Sequence, residues 1–470
     1  MCSSDLVLSA DEREKIGLDD ATPVRAVERD RRRLLVAARG AGRVVLAGRD
    51  RDARDGRARI RSRFLDRDVP VRRVTSSAGA WESVAGGRIP AVGESELVGA
   101  TLLARSARRG DAPSFLVEAS PHLLAGSRVV AAHGARSFGR FSGRTGLGAG
   151  VGALVGDVLS PTTLEEFAVC PFRYFLGHEL RCEVVDPPER RAEIDPRDRG
   201  QIAHEVLERY MRQVIERGDE LDDDPVAGAE LLAKIATEVC DRFERLGRTG
   251  KRVLWARTRR ELLERLEAER VRDAETRRQL GARPIAVEWV FGTTAAPAVG
   301  IAIEDTSLSF RGKIDRIDRR DDGALDVVDY KTGKASSYRG IAADPVDGGR
   351  HLQLPIYALA ARAAFSRDGV DPVRASYRFI DEPGDEVAVE LDAETTVRTG
   401  EVLAVLAGTV ESGCFPYRPG ARRQDTFEHC SWCDFNTICP AERDVLWRVA
   451  RAAPVLAGYV GLVEPEVADE

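Results

Sequence analysis

The chain has 470 residues, of which 43% are hydrophobic, so it is long enough for two to four domains with a sizeable core. Its formal net charge of −6 argues against a uniformly basic protein that coats DNA, although a local basic groove is compatible with it. No long apolar run or apolar signal segment is present, which predicts a cytoplasmic protein without a membrane span. The eight cysteines are then not expected to form disulfides, and clustered cysteines indicate a metal site.

The first third of the chain, residues 1–155, gives the weakest pattern. Residues 24–49 read as an arginine-rich amphipathic helix followed by a short strand, and this order resembles the region around the last conserved motif of UvrD-type helicases. A solvated amphipathic helix explains the same residues. No G-x-x-x-x-G-K-[ST] motif occurs, so a complete ATP-driven motor is not expected. Residues 138–156 have the glycine density of a linker.

A helix is predicted to begin at Ser160, which can cap it, and Glu165 is favourable near its positive end. This helix is expected to contain Cys170, with Pro171 near its end or at a kink.

A second helix is predicted over residues 200–217, with His204 lying off its buried stripe. The stripe has the i, i+4 spacing of Ile202, Val206 and Tyr210. Residues 218–280 read as further, highly charged helix, which we expect to be a solvated insertion.

Strands dominate the following part. Residues 284–291 predict a strand with Glu288 in its middle, and residues 308–317 and 325–331 predict a β-hairpin with Asp-Asp-Gly in its turn. The next predicted elements are a helix at 351–365, a strand at 374–380 and a helix at 393–412. This order predicts an α/β fold whose central mixed sheet is flanked by helices.

The hairpin carries Asp315 on one strand, and Asp329 and Lys331 on the other. Residues two apart on a strand point to the same face, and Asp315 on the neighbouring strand can join them. Charged residues near turns are usually solvated, and D-x-K alone is a weak signal. Together, however, two carboxylates and an ammonium make the compact cation site that phosphodiester hydrolysis requires. In this context His204, which alone would be an ordinary helix residue, is a candidate third metal ligand.

Gln353 and Tyr357 lie four positions apart on one predicted helix, hence on one face. They fit the polar rim of an ordinary amphipathic helix. They also fit contact with DNA beside the cut site, with the glutamine hydrogen bonding and the tyrosine stacking on a base.

Three cysteines within ten residues, Cys430, Cys433 and Cys439, are a strong metal signal in a cytosolic protein. A closed site needs a fourth ligand, and spacing alone does not separate zinc from a [4Fe–4S] cluster. The candidates for the fourth ligand are Cys170, Cys414, Cys182 and His429.

Four motifs occur in a fixed order that resembles the RecB-type branch of PD-(D/E)xK nucleases. They are G-Q-I-A-H-E-V-L-E at 200–208, G-K-I-D-R-I-D at 312–318, V-V-D-Y-K-T-G at 327–333 and Q-L-P-I-Y at 353–357. The C-P-F-R-Y-F run at Cys170 and the C-terminal cysteine triplet resemble the iron–sulfur variant seen in AddB, in CRISPR adaptation nucleases and in actinobacterial helicase–nucleases. The resemblance covers about residues 159–443.

The resemblance implies a restriction-endonuclease-like core with a helical insertion and an iron–sulfur clasp. It implies Mg²⁺ or Mn²⁺ ligands at His204, Asp315, Asp329 and the backbone carbonyl of Tyr330. Lys331 would position or help to deprotonate the attacking water, and Glu288 would have a supporting role. The residues expected near DNA are Gln353 and Tyr357, and the expected ligands of a [4Fe–4S] cluster are Cys170, Cys430, Cys433 and Cys439.

These implications divide the chain into a helicase-like remnant with a linker (1–155), a nuclease domain (156–445) and a C-terminal tail (446–470). The expected function is metal-dependent cutting of DNA, at single-stranded or duplex ends, in recombinational repair together with a helicase subunit or motor. The alternative is a catalytically silent, nuclease-like DNA-binding module or a partner subunit of a helicase. The intact Asp315, Asp329 and Lys331 speak against that alternative.

Overall fold

The computed structural model describes residues 121–134, 137–146, 154, 156–183, 192–218, 220–424 and 426–464. The expected helicase-like remnant lies almost entirely outside these residues. The chain divides into two compact units, Met1–Arg128 and Val129–Glu470. The second unit contains every strand that the structure describes, together with the predicted site.

Among the described residues that precede the central sheet, most lie in helices. In chain order they are α1 (Pro121–Gly134), α2 (Pro161–Val169), α3 (Pro171–Tyr174, continued by a π-helical turn at Phe175–Glu179), α4 (Pro196–Arg217), α5 (Glu220–Asp223), α6 (Pro225–Arg245) and α7 (Arg252–Leu280).

Eight strands form two of the sheets in the described part of the chain. They are β1 (Val158–Leu159), β2 (Ala282–Phe291), β3 (Val299–Ile303), β4 (Thr306–Phe310), β5 (Gly312–Arg320), β6 (Leu325–Lys331), β7 (Val373–Phe379) and β8 (Glu386–Glu390). The central sheet has the order β2-β5-β6-β7-β8, and the smaller sheet has the order β1-β4-β3.

The remaining elements lie between and after these strands. They are α8 (Gln353–Phe365), α9 (Ala393–Glu411), a two-stranded ribbon of β9 (Arg422–Arg423) and β10 (Thr426–Phe427), α10 (Arg443–Ala450) and α11 (Ala457–Val463). No single helix in the described residues is long and apolar enough to cross a membrane; α10 together with Pro454–Val463 reaches that length only as a pair bent by 91°.

The central sheet is mixed, as the sequence predicts. Strands β6 and β7 are parallel, since α8 carries the chain back between them, and the other neighbouring pairs are antiparallel. Alternate residues of β6 reach opposite faces. Val327 packs into the cluster that contains α8, whereas Val328 packs into the cluster that contains α4.

The expected strand over residues 308–317 is wrong, because the structure has two strands there in different sheets. Pairing with β3 ends at Phe310, and pairing with β2 begins at Gly312. A Cβ at Gly312 would lie 2.8 Å from ring atoms of both Phe291 and Tyr357. Glycine therefore lets the chain pass close to these rings as it changes sheets.

Cys170 is not inside a helix, in contrast to the sequence expectation. Its φ of −155° and ψ of 104° are extended, and the residue separates α2 from α3. The reason is local, because Pro171 sterically disfavours the helical conformation in the residue before it. Ser160 stands at the N-cap of α2, but its side chain makes no capping hydrogen bond.

The charged helical segment is also not simply solvated, as we expected it to be. Helix α7 buries Glu269, Asp273 and Arg277, each less than 5% exposed. Asp273 accepts a hydrogen bond from Arg316 of β5 at 2.6 Å and one from Arg378 of β7. A buried charge must be paired, so these ion pairs let a polar helix pack against the sheet.

Residues 446–464 pack against the core, whereas the sequence predicted a C-terminal tail over 446–470. Leu456 and Tyr459 are fully buried, and the hydroxyl of Tyr459 donates a hydrogen bond to the carbonyl of Ala168 at 3.0 Å. Arg418 donates to the carbonyl of Val463 at 2.9 Å. Helices α10 and α11 therefore pack into the main core.

Residues 137–146 belong with the core and not with a free linker. The amide of Phe415 donates a hydrogen bond to the carbonyl of Gly143 at 2.6 Å, and Arg144 forms a bridge with Cys414. Gly143 has a φ of +117°, and a Cβ there would lie 2.5 Å from the carbonyl oxygen of Phe415. The described part of the predicted glycine-rich loop is thus held in place by a close backbone approach.

Candidate active site

The site lies where strands β5 and β6 separate. Their pairing stops at Arg316 and Val328. Beyond that point Oδ2 of Asp315 accepts the amide N–H of Tyr330 at 2.8 Å, so a carboxylate replaces a backbone acceptor. The same oxygen lies 3.2 Å from Nδ1 of His204 on α4. The end of the β5–β6 ladder thus places a buried carboxylate beside the predicted histidine.

Glu288 lies among the candidate metal ligands themselves, whereas the sequence predicted only a supporting role for it. One ligand atom from each of His204, Glu288 and Asp315 lies within 4.8 Å of those of the other two. The backbone of Glu288 has a φ of +53°, a left-handed conformation that is costly for a residue with a side chain. Its carboxylate is paired with Lys313. A strained residue that presents a carboxylate to a histidine and an aspartate is typical of a functional site.

Asp329 and Lys331 face the same side of β6, as the sequence predicts, with Nζ of Lys331 2.5 Å from Oδ2 of Asp329. That oxygen is buried and has no hydrogen bond of good geometry. Burial raises the pKa of Asp329, Lys331 opposes that rise and the charge of Asp315 adds to it.

These donors fit a divalent cation. Carboxylates and an imidazole are ligands that Mg²⁺ and Mn²⁺ accept, and a buried carboxylate oxygen without a hydrogen bond is open to a metal ion. The structure brings His204, Glu288 and Asp315 together for this, and Asp329 interacts electrostatically with His204 and Asp315.

Three groups surround the ammonium of Lys331. It donates a hydrogen bond to Oε1 of Gln353 at 2.8 Å and lies 4.7 Å from the ring centre of Tyr377, in addition to its pairing with Asp329. Burial lowers the pKa of Lys331, but the charge and hydrogen bond of Asp329, together with the charges of Tyr338 and Asp315, outweigh this and the pKa ends above its ordinary value. Lys331 therefore stays charged, which suits holding a water or a phosphate oxygen and does not suit removing a proton.

His204 is half-buried, and burial alone would lower its pKa. The hydrogen bond and the negative charge of Asp315 outweigh that, so the pKa of His204 is raised. A divalent cation would compete with the proton for the same imidazole.

Tyr357 has less access to DNA than expected, whereas Tyr330 was expected to serve the site only through its backbone. The ring of Tyr357 is 6% exposed and packs edge-on against Phe291, with ring centres 5.9 Å apart, so no free face remains for a base. The ring of Tyr330 points away from the site, where its hydroxyl accepts a hydrogen bond from Arg316 at 2.7 Å. Only the backbone of Tyr330 can therefore serve the site.

Sequence reasoning missed Glu165 as a site residue. Its Oε1 accepts the amide N–H groups of Leu352 at 2.6 Å and Gln353 at 3.0 Å. Burial raises the pKa of Glu165 to about 7, against the opposing effect of these hydrogen bonds. No signal in the sequence separates Glu165 from the neighbouring Glu166, which instead pairs with Arg173 and His178.

The four cysteines predicted to form a cluster line a single pocket. These are Cys170, Cys430, Cys433 and Cys439. Cys170 is some 260 positions before the C-terminal triplet in sequence but lies beside it in the fold. Cys170 has an extended backbone and precedes Pro171 at the start of α3. Burial raises the pKa of each thiol, that of Cys439 to about 12, so that binding of a metal would have to displace their protons.

The other candidates for a fourth ligand are less suitable. Cys182 is exposed, and the thiol of Cys414 is buried elsewhere, 3.7 Å from the carbonyl of Ser412. His429 lines the same pocket, but its Nε2 lies 3.2 Å from Nη1 of Arg418, and burial lowers its pKa to about 4.

A mixed sheet that ends in two aspartates and a lysine, with a histidine supplied by a helix, is an arrangement that could hold a divalent cation beside a phosphodiester, as expected of a nuclease. The model of the PD-(D/E)XK nuclease superfamily matches residues 158–440, and the chain belongs to this family. The family and the mixed α/β core predicted from the sequence are confirmed.

Three relatives are each named as a subunit of an ATP-dependent helicase/deoxyribonuclease. The protein of Moorella thermoacetica is 32% identical over 218 residues, which are 43% of this chain and 17% of that protein. Those of Lacticaseibacillus casei and Leuconostoc citreum are each 28% identical, over 50% and 57% of this chain and 20% and 22% of their own lengths. The chain thus spans about a fifth of the length of the curated relatives it matches.

Proposed function

We propose that the protein is a Mg²⁺- or Mn²⁺-dependent deoxyribonuclease that processes DNA ends in recombinational repair. The observation that carries the proposal is the convergence of His204, Glu288 and Asp315 beside the buried pair of Asp329 and Lys331. The names of the relatives support a DNA substrate and a helicase partner that supplies the motor.

A bound divalent cation would supply an activated water and charge stabilisation for the scissile phosphate. His204, Asp315 and Asp329 would hold it, with Glu288 as an additional carboxylate and the backbone carbonyl of Tyr330 as a further donor. Lys331 keeps its charge beside Asp329 and donates hydrogen bonds, so it orients the attacking water and steadies the negative charge that develops on the phosphate. Gln353 fixes the direction of that ammonium and, near DNA, contacts a phosphate.

The decisive experiment is cutting of end-labelled single-stranded and duplex DNA by the purified protein with Mg²⁺ or Mn²⁺. Asp329→Ala and Lys331→Ala should each abolish cutting while unfolding midpoints stay close to that of the wild type. Lys334→Ala, a charge removal three residues further along the chain, is the matched control and should cut normally. Cutting at the wild-type rate by the Asp329 and Lys331 variants would refute the proposal. If the wild type binds DNA but does not cut it, the protein is better described as a silent binding module.

The proposal includes a [4Fe–4S] cluster held by Cys170, Cys430, Cys433 and Cys439. Their shared pocket supports it.

The cluster is tested by anaerobic purification with iron, sulfide and zinc analysis. We expect about four irons per chain and a broad visible absorption, both lost in Cys433→Ser and kept in Cys182→Ser. A colourless protein that contains one zinc per chain would show that the cysteines hold a structural zinc ion and not a cluster.

A further inference from the structure

Glu165 takes no step in the proposed reaction, yet it lies beside the residues that do. It belongs to α2, far in sequence from the strand that carries Asp329 and Lys331, and is partly buried. Its carboxylate interacts electrostatically with both Lys331 and Asp329. Burial of a carboxylate costs free energy unless hydrogen bonds or charges compensate for the lost hydration.

The hydrogen bonds of Glu165 complete the start of another helix. Leu352 stands at the N-cap of α8, and its apolar side chain cannot accept the amide N–H groups of the first turn. Oε1 of Glu165 accepts two of them, from Leu352 and Gln353, across 187 and 188 positions of sequence. A negative side chain at this end of α8 is also favoured by the helix dipole.

The next contact leads from α8 to the reacting groups. The side chain of Gln353, the first residue of α8, accepts a hydrogen bond from Nζ of Lys331 at 2.8 Å. The hydroxyl of Tyr377 lies 3.4 Å from the same oxygen of Gln353. The position of the first turn of α8 thus determines where the side-chain amide of Gln353 lies. That amide in turn orients the ammonium of Lys331 through their hydrogen bond.

We infer that Glu165 is a positioning residue for Lys331, which it holds in place through the first turn of α8 and Gln353. The inference rests on the proposed nuclease function. Without the carboxylate the first turn of α8 loses two hydrogen bonds and Gln353 shifts. The ammonium of Lys331 then has Asp329 as its strongest partner. It moves towards that carboxylate and away from the position that the phosphate would occupy.

The kinetic test compares Glu165→Ala with Glu165→Gln, which keeps an acceptor oxygen at the same length. We expect Glu165→Ala to lower kcat about 10–100-fold, the usual effect of removing a supporting hydrogen bond, with KM for DNA within about threefold of the wild type. Glu165→Gln should recover most of kcat. Glu166→Ala removes the neighbouring carboxylate and should behave as the wild type.

A second readout needs no catalysis. The chain has only six lysines, so protein labelled with ¹³C at lysine Cε gives a short list of NMR signals, in which Lys331→Arg identifies Lys331. At a fixed pH, Glu165→Ala should shift the Lys331 signal, Glu165→Gln should shift it less, and Lys234 should not move.

The outcomes are distinguishable. A wild-type kcat and an unmoved Lys331 signal in Glu165→Ala would overturn the inference, as would equal losses of kcat in Glu165→Ala and Glu165→Gln. If the wild type does not cut DNA, the proposed function fails, and the Lys331 signal still decides whether Glu165 places this ammonium.

Discussion

Oδ2 of Asp315 lies 3.2 Å from Nδ1 of His204 and accepts the amide of Tyr330 at 2.8 Å. One oxygen therefore joins the helix α4 to the end of the β5–β6 ladder. This contact fixes the distance between the histidine and the carboxylates of the sheet, so a metal ion would find its ligands largely arranged beforehand.

Metal affinity should respond in opposite directions to two neighbouring substitutions. Glu288→Gln removes a candidate ligand and should weaken Mn²⁺ binding by about tenfold or more. Lys313→Met removes the ammonium that pairs with Glu288 and should tighten binding a few-fold, since a metal no longer competes with it. Isothermal titration with Mn²⁺ measures both. Unchanged affinity in Glu288→Gln would show that Glu288 has no part in the site.

The buried ion pairs between α7 and the sheet should be costly to break. Asp273→Ala removes the carboxylate that Arg316 and Arg378 share in the interior, and we expect a loss of about 3–5 kcal/mol in the free energy of unfolding. Urea unfolding measures this. Glu261→Ala breaks the exposed pair with Arg257 and serves as the control, with an expected loss below about 1 kcal/mol. Equal losses would mean that α7 does not depend on these pairs.

Stability should depend on pH through Glu269, whose two carboxylate oxygens are buried without hydrogen bonds. Burial raises its pKa from 4.5 to about 7, although the positive charge of Arg378 opposes this. The folded state therefore binds this proton more tightly than the unfolded state, and the contribution to stability is lost as the pH rises from about 4.5 to about 7.

Glu269→Gln removes this titration. Relative to the wild type, the variant should gain of order 1–3 kcal/mol in the free energy of unfolding between pH 5 and pH 8. Urea unfolding at the two pH values measures the difference. The prediction fails if the difference in the free energy of unfolding between variant and wild type is the same at pH 5 and at pH 8.

The C-terminal helices should be needed for stability. Tyr459 is fully buried against Phe167, with ring centres 5.7 Å apart, so Tyr459→Ala should cost about 3–5 kcal/mol. Val455→Ala, at a side chain that is 41% exposed, should cost less than about 1 kcal/mol. A comparable stability of Tyr459→Ala and the wild type would restore the interpretation of this region as a tail.

Much of the fold was predictable because its signals are local. Alternating apolar residues and the Asp-Asp-Gly turn predicted β5 and β6, and the i, i+4 stripe of α4 is buried as expected. The missed strands β3 and β8 are each five residues long, too short for a period-two pattern to be distinctive. The error at α7 has a different origin, because charge alone does not reveal that Asp273 meets two arginines of the sheet.

The sequence by itself determined the hairpin turn between β5 and β6, the shared face of Asp329 and Lys331, and the clustering of three cysteines near the C-terminus, since strand periodicity, turn composition and motif spacing act over a few residues. Only the tertiary structure decided that Glu288 joins His204 and Asp315, that Tyr357 is covered, and that Glu165 supports Gln353. These outcomes depend on which side chains meet after the chain has folded, across as many as 188 positions. No pattern within a short stretch of sequence carries that information.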